Sequence, residues 1–263
     1  MKRVVFKFGT GVISHSQGKA LDIHQFRRLS REISMLCQQG MECIIVSSGA
    51  IAAGVQILGL TDRPQDLPGK QACAAAGQPI LIQQFDLCFR KLGMHTAQLL
   101  LTYSDIDSTR RRNNARHTLD RLLAARNIIP IFNENDTVSI EELNLGDNDR
   151  LSAEIAILAE AHLLVILTSA PGLMDGTRLI PVVEDIQSAI PYVTNEKGPQ
   201  STGGMLTKLE AMRIATSHGI PAIIASGHTP GLLADAVAGL PVGTLFISAK
   251  TPDTKNLKCS IRT

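Results

Sequence analysis

The sequence has no tryptophan, only two tyrosines and 3% aromatic residues overall. Proteins that bind single-stranded nucleic acid use aromatic stacking platforms within a strongly positive groove. With few such side chains and a formal net charge of +2 over 263 residues, we expect no nucleic-acid partner. The densest basic run, Arg110 to Arg112, lies in a predicted amphipathic helix. We interpret it as a solvated face or a subunit contact, in keeping with a homo-oligomer.

Signals for disulfides, zinc and membranes are also missing. The five cysteines are an odd number without C-x-x-C spacing, and no histidine pair has metal-ligand spacing. The sequence contains no uninterrupted run of eighteen apolar residues, so it predicts no membrane span. The basic start, MKRVVFKFGTGV, lacks the long apolar region and cleavage site of a signal peptide. We therefore expect buried thiols, no metal ligands, no membrane contact and a cytoplasmic location.

Short apolar runs alternate with helical patterns, which predicts an α/β fold with a mostly parallel sheet and helices on both faces. The predicted strands are 3–9, 42–48, 96–101, 128–134, 163–169, 221–226 and 244–248. The predicted helices are 22–39, 68–92, 105–126, 149–161, 205–218 and 229–238. Residues 171–202 are predicted to form a small hairpin and lid outside the core. No linker or repeat is visible, so one domain over 1–263 is expected.

Ligands of open α/β sheets bind beyond the carboxyl ends of the strands, and Lys7 is the first candidate residue there. It interrupts the apolar strand VVFKFG, and Gly9, Thr10 and Gly11 follow. A buried ammonium needs an anionic partner. A phosphate would meet that need beside exposed glycine N–H groups. The alternative is a lysine on the exposed face of an edge strand, and both interpretations stay open on these residues alone.

The segment SSGA at 47–50 follows the second predicted strand. It can present the Gly49 and Ala50 amides at a helix start, which is a ready anion site. The alternative is an ordinary turn capped by Ser48. No acidic residue for a ribose follows this strand, and the first glycine-rich turn continues into SHSQGKA rather than into a predicted helix. A dinucleotide-binding Rossmann site is therefore disfavoured.

The segment STGGMLTKLEAMRIA at 201–215 is a second candidate phosphate site. Gly203 and Gly204 permit close approach of the backbone, while Thr207 and Lys208 fall in the first turn of a predicted helix. It is not a Walker A motif, which this chain does not contain. The alternative is a flexible helix start with a solvated lysine. A phosphate is favoured because Lys7 lies in a similar glycine-bearing segment.

Two acidic segments, NEND at 133–136 and GDND at 146–149, carry four carboxylates between them. Carboxylates this close repel each other unless cations lie nearby. We therefore expect them to face an ammonium group, a lysine or hydrated Mg²⁺. The alternative for GDND is a simple helix cap, with Asn148 or Asp149 as the capping residue.

Several segments together resemble the amino acid kinase family over residues 3–248. They are, in order, KFGTG, VSSGAIAAG, KQACAAAGQ, LLLT, NARHTL, NEND, GDNDRLSA and STGGMLTK. SSGAIAAG with the two acidic segments is similar to the members that phosphorylate L-glutamate in the first step of proline biosynthesis. The resemblance implies a three-layer αβα sandwich that binds ATP, Mg²⁺ and L-glutamate across the carboxyl edge of the sheet.

The resemblance also implies roles for the matched residues. Lys7 and Lys208 match lysines that stabilise the transferred phosphoryl group, and Asp149 matches the aspartate that orients them. The implied glutamate-binding residues are Ser48, Asp136 and Asn148, with Asn133 and Asp147 nearby. The implied ATP-binding residues are Lys7, Gly9, Thr168, Ser169, Thr202, Gly203, Gly204, Met205, Leu206, Thr207 and Lys208.

The chemistry agrees with this inventory. A γ-carboxylate is ionised at neutral pH and needs no general base to attack the γ-phosphorus of ATP. Lysines, loop amides and Mg²⁺ can neutralise the charge that spreads over the phosphoryl oxygens. The product would be a labile acyl phosphate, so a glutamyl phosphate reductase is the expected downstream partner. The resemblance also implies proline as a feedback inhibitor.

The chain departs from the family pattern in two places. Thr168-Ser169 stands where the family usually has Thr-Asp, followed by a short GLMDGTRLIP segment. Fifteen residues follow Ser248, so we expect the C-terminal PUA-type RNA-binding-like domain of many relatives to be absent. The rivals are a kinase of the same fold for another small acceptor and a non-catalytic nucleotide or amino-acid sensor. Retention of both lysines and Asp149 favours an enzyme.

Overall fold

An eight-stranded sheet forms the centre of the protein. The computed structural model describes residues 2–15, 20–139, 147–193 and 204–247. The strands are β1 (Arg3–Phe8), β2 (Glu42–Ser47), β3 (His95–Leu101), β4 (Ile128–Glu134), β5 (Leu163–Thr168), β6 (Met174–Asp175), β7 (Arg178–Leu179), β8 (Val182–Val183), β9 (Ala222–Ser226) and β10 (Thr244–Phe246). The main sheet has the order β3-β4-β2-β1-β5-β9-β10-β8. Its neighbouring strands are parallel except for β9 with β10, so the predicted mostly parallel sheet is confirmed.

Helices cover both faces of this sheet and complete the predicted three-layer αβα sandwich. They are α1 (Thr10–Ile13), α2 (Ile23–Gln38), α3 (Ala50–Ile57), α4 (Leu67–Arg90), α5 (Tyr103–Asp107), α6 (Thr109–Ala124), α7 (Asp147–Leu158), α8 (Met205–Ser217) and α9 (Leu232–Ala238). A 3₁₀ helix spans Ile186–Tyr192. In the part of the chain that the structure describes, no helix is long and apolar enough to cross a membrane.

Strand β1 shows how the sheet directs side chains toward the future site. Successive side chains of a strand point to opposite faces. Val4 and Phe6 join the core under α2, α4 and α9, whereas Val5 joins the core under α7 and α8. Lys7 shares the face of Val5, and it lies between Val46 of β2 and Ile166 of β5. Because β1 is central, the edge-strand alternative for Lys7 is wrong.

Close packing of α3 against α4 depends on two glycines. A Cβ atom on Gly54 would lie 1.8 Å from the Cys73 carbonyl oxygen, and one on Gly77 would lie 1.9 Å from the Ala50 carbonyl oxygen. Any side chain at either position would collide with backbone, so the two helices are in direct backbone contact. The contact places the residue after Gly77, Gln78, close to the end of β4.

The structure differs from the sequence predictions at several elements. The predicted helix 105–126 is divided because Ser108 ends α5 and its hydroxyl caps α6. Helix α1 follows Gly9 directly, where no helix was predicted. The predicted hairpin after β5 is confirmed as β6 and β7. The next strand, Val182–Val183, pairs with β10 in the main sheet, and Leu173, Val183 and Ala189 join the core. The prediction that 171–202 lies outside the core is therefore wrong for this part of the segment.

Candidate active site

Two buried lysines share one buried carboxylate at the carboxyl edge of the sheet. Lys7 Nζ lies 2.5 Å from Asp149 Oδ1, and Lys208 Nζ lies 3.1 Å from Asp149 Oδ2. The residues are 6%, 5% and 1% exposed, respectively. They come from β1, α8 and α7, elements that meet only through the fold. The two ammonium groups and one carboxylate carry a net positive charge, which suits a site for an anion.

Burial and neighbouring charges shift the proton affinities within this triad. Burial lowers the pKa of the Lys7 ammonium below its ordinary value, opposed by Asp149 and reinforced by Lys208. Burial alone would raise the pKa of Asp149, but Lys7 and Lys208 outweigh it and hold that pKa below its ordinary value. Asp149 is therefore ionised throughout the neutral range. A bound phosphate would favour the charged form of Lys7.

These shifts predict a pH dependence of stability. Because the folded-state pKa of Lys7 lies below 10.5, the unfolded chain binds more protons in the window between those two values. The free energy of unfolding of the wild type should therefore rise with pH in that window when it is compared with that of Lys7→Met at the same pH. Urea titrations of both proteins at several pH values up to 10.5 measure the difference. If the difference in free energy of unfolding between the two proteins stays constant or falls as the pH rises, burial does not lower the pKa of Lys7.

The carboxylate of Asp149 is held by α7 and α8 as well as by the lysines. Thr207 Oγ1 lies 3.2 Å from Asp149 Oδ2 and 2.9 Å from the Gly204 carbonyl oxygen.

Helix α7 begins at Asp147, so Asn148 and Asp149 lie inside its first turn rather than at its cap. The simple cap interpretation of GDND is therefore wrong for these two residues. Their side chains are directed into the site.

Beside the triad lies a group of polar side chains from β2, β4 and α7. Asn148 Nδ2 lies 2.9 Å from Asn133 Oδ1 and 3.3 Å from Ser48 Oγ. Asn133 is 1% exposed, and Ser48 and Asn148 are half-buried. The structure thus brings three of the predicted glutamate-binding residues together. Ser48 does not cap α3, because Gly49 occupies the cap position with a φ of 107° and no side-chain hydrogen bond.

The carboxylates of the acidic segments have different surroundings. Asp149 faces the two lysines, as expected, whereas Glu134 is buried and accepts a hydrogen bond of 2.6 Å from Ser139 Oγ. Asp136 is half-buried in the turn after β4 and lies within electrostatic reach of Arg63. It lines a cleft of about 440 Å³ together with Gln78. Asp147 begins α7, and its side chain is outside the described residues.

The predicted ATP-binding residues lie at the ends of β1 and β5 and the start of α8. The Gly9 amide donates to the Leu167 carbonyl oxygen (3.1 Å), which holds this turn against β5. Thr168 is half-buried at the end of β5 and Ser169 is exposed. The start of α8 contributes Gly204 as its cap, then Met205, Leu206, Thr207 and Lys208. Thr202 and Gly203 lie outside the described residues.

Sequence reasoning assigned no role to Gln78, which contacts the site directly. Gln78 Oε1 accepts a hydrogen bond of 2.7 Å from Asn133 Nδ2. The segment KQACAAAGQ contains Gln78, but its neighbours there are small residues that indicate only helix packing. The one sequence signal for a role of Gln78 was its polar side chain directly after Gly77 in a segment of small residues.

Comparisons with known proteins define the family. The model of the Amino acid kinase family matches residues 2–226, so the chain belongs to that family. The chain is 42% identical over 252 residues to a protein of Thermus thermophilus named Glutamate 5-kinase, covering 93% of this chain and 67% of that one. It is 44% identical over 258 residues to the Glutamate 5-kinase of Geobacter metallireducens, covering 95% and 69%. The chain thus spans about two thirds of the length of these relatives.

A solved structure supports the fold alone. The UMP kinase of Bacillus anthracis superposes with a TM-score of 0.63 at 15% sequence identity, covering 94% of this chain and 96% of that one. Such low identity carries no information about the acceptor. The match confirms the three-layer arrangement of the sheet and helices.

Proposed function

We propose that the protein is an ATP-dependent kinase for the γ-carboxylate of L-glutamate, giving L-glutamyl 5-phosphate as the first step of proline biosynthesis. The observation that carries this proposal is the contact between two buried lysines and Asp149, next to the polar group of Ser48, Asn133 and Asn148. Family membership and the 42–44% identity to proteins named Glutamate 5-kinase support the same substrate.

The lysines provide the charge that phosphoryl transfer requires. The γ-carboxylate is already ionised, so the transfer needs in-line positioning and stabilisation of negative charge rather than a base. Lys7 and Lys208 would contact the transferred phosphoryl oxygens from two sides, while Asp149 holds both ammonium groups in place. Their burial strengthens these electrostatic interactions because little water screens them.

ATP would bind over the start of α8 and the ends of β1 and β5. The residues proposed to contact it are Lys7, Gly9, Thr168, Ser169 and Thr202 through Lys208. The first amides of α8 have no partner within their own helix and carry partial positive charge, which favours phosphate oxygens. Mg²⁺ is proposed to arrive on the ATP phosphates, as it does in kinases generally. There it would neutralise part of the phosphate charge.

L-glutamate would lie against Ser48, Asn133 and Asn148, with Asp136 and Asp147 close to its α-ammonium. The acidic character of this region suits a cationic group on the substrate, whereas the lysines suit the carboxylate that is phosphorylated. We further propose a cytoplasmic, homo-oligomeric enzyme. Its labile product would pass to a glutamyl phosphate reductase, and proline would act as feedback inhibitor.

Trapping of the acyl phosphate tests the proposed acceptor. With Mg-ATP and hydroxylamine, L-glutamate should yield γ-glutamyl hydroxamate, detected by its coloured iron complex, whereas N-acetylglutamate and aspartate should yield little. Each acceptor is assayed with and without ATP as a control. Product from another acceptor but not from L-glutamate would favour a kinase of the same fold for that acceptor. No turnover with any acceptor would favour the sensor.

A further inference from the structure

A chain of hydrogen-bonded amides leads from the outer strand β3 into the candidate glutamate site. Gln78 Nε2 donates to Gln98 Oε1 (2.9 Å), and Asn133 Nδ2 donates to Gln78 Oε1 (2.7 Å). Asn148 Nδ2 then donates to Asn133 Oδ1 (2.9 Å). The four residues belong to β3, α4, β4 and α7, which become neighbours only in the folded chain. Gln98 is exposed, whereas Asn133 is fully buried.

The orientation of the chain is fixed at its buried end. The backbone N–H of Glu134 donates to Asn133 Oδ1 at 2.9 Å. Because a backbone N–H can only donate, Asn133 must direct its oxygen toward Glu134 and Asn148, and its Nδ2 group toward Gln78. An acceptor is therefore required at position 78, and the Gln78 amide oxygen provides it. A side chain without an acceptor would leave a buried N–H group unsatisfied, which is unfavourable.

The consequence reaches the amide of Asn148. Its Nδ2 group is used by Asn133 Oδ1 and by Ser48 Oγ. Its oxygen, Asn148 Oδ1, is buried and has no hydrogen-bond partner among the described residues. A buried oxygen of this kind can only accept hydrogen bonds. The amide chain therefore presents one defined acceptor to whatever binds beside Ser48.

We propose that Gln78 is a positioning residue for the acceptor substrate: it holds Asn133, and through it Asn148, so that Asn148 Oδ1 accepts a hydrogen bond from the α-ammonium group of L-glutamate. The inference rests on the proposed function and extends it to a residue that does not touch the substrate. The α-ammonium is the one strong donor of L-glutamate at neutral pH, because both of its carboxylates are acceptors. Gln78 thereby contributes to the selection of an α-amino acid.

The variant Gln78→Met tests this role. Methionine has a similar length and favours helices, but it cannot accept from Asn133 as an amide oxygen does. The KM for L-glutamate should rise about tenfold, as expected for a weakened hydrogen bond to a charged group, while kcat and the KM for ATP change little. Gln84→Met is the matched control, since Gln84 lies on the same helix and makes no side-chain hydrogen bond to the site within the described part of the chain. It should leave all three constants unchanged.

Glutarate, which is L-glutamate without its α-ammonium group, provides a readout that a merely structural role would not give. Its Ki as a competitive inhibitor should differ by less than about twofold between the wild type and Gln78→Met, because the lost hydrogen bond belongs to the ammonium. A parallel rise in the glutarate Ki and in the glutamate KM would overturn the proposal. So would an unchanged glutamate KM in Gln78→Met.

A second variant separates the role of Gln78 from its packing. Gln78→Glu keeps an oxygen toward Asn133 Nδ2, and the exposed Gln98 can turn its own amide to donate. Gln78→Glu should restore most of the affinity for L-glutamate that Gln78→Met loses. If it does not, the hydrogen-bond acceptor at position 78 does not have the proposed role. Assays of the wild type and of Gln78→Met separate failure of the proposed function from failure of the role of Gln78. Absence of glutamyl hydroxamate from the wild type refutes the proposed function, whereas a fully active Gln78→Met refutes only the role of Gln78.

Discussion

Replacement of Lys208 by methionine is expected to lower turnover by roughly 10²- to 10³-fold, the effect seen when one preorganised donor to a developing charge is removed. Lys208 is buried, and its Nζ forms an ion pair with Asp149 Oδ2 at 3.1 Å. Its ammonium would oppose the charge on the transferred phosphoryl group. The KM for L-glutamate should stay nearly unchanged, because Lys208 lies on the ATP side of the site. Steady-state kinetics with the hydroxylamine trap measure both constants.

The matched control is Lys91→Met, since Lys91 is an exposed lysine at the end of α4. It should retain wild-type kinetics. Turnover of Lys208→Met close to the wild type, or a rise in the glutamate KM equal to the loss of turnover, would show that Lys208 does not act on the phosphoryl group.

The second large effect is expected for Asp149→Asn, which should lose both activity and stability. The substitution leaves Lys7 and Lys208 buried around a neutral amide. Removal of one partner from a buried ion pair destabilises a protein by about 3 to 5 kcal/mol. Turnover should fall by at least about 10²-fold, because the lysines lose the group that positions them. Urea unfolding and steady-state kinetics are the two measurements.

Asp107→Asn is the control for this substitution, because Asp107 is exposed at the end of α5. It should change neither quantity. The loss of stability in Asp149→Asn should also shrink as the pH rises, since deprotonation of Lys7 relieves the repulsion between the two ammonium groups. A loss that stays constant up to pH 10.5, the ordinary pKa of a lysine, would show that charge repulsion is not its cause.

Much of the fold followed from the sequence because the strands are short, apolar and separated by amphipathic helices. A buried anionic partner for Lys7 could be expected as well, and the family resemblance implied that Asp149 orients both lysines. Lys7 interrupts a buried strand, and a buried ammonium requires an anionic partner. The alternation of side chains along β1 then places Lys7 on the face of Val5, which α7 and α8 cover. The structure adds the distances and shows that one carboxylate serves both lysines.

Other features depend on tertiary contacts that no local pattern records. Gln78 reaches Asn133 from α4, whose backbone lies directly against α3 at Gly54 and Gly77. Helix α5 ends at Ser108 because the Ser108 hydroxyl caps the next helix, α6, and serine side chains favour such cap positions over helix interiors. The start of α7 at Asp147 directs Asn148 and Asp149 into the site, whereas the local sequence of GDND left both a helix cap and a cluster that faces cations open. In each case the missing information was the position of a distant segment.

Direct transfer of phosphate to a substrate carboxylate is the central claim, and isotope transfer tests it most directly. L-glutamate labelled with ¹⁸O in both oxygens of its γ-carboxylate is incubated with the protein, Mg-ATP and hydroxylamine. Attack of a carboxylate oxygen on the γ-phosphorus places that oxygen in the acyl phosphate. Hydroxylamine then attacks the carbonyl carbon and releases phosphate that retains it. We predict one ¹⁸O atom in each released phosphate, seen by the isotope shift in ³¹P NMR; unlabelled phosphate would contradict the account.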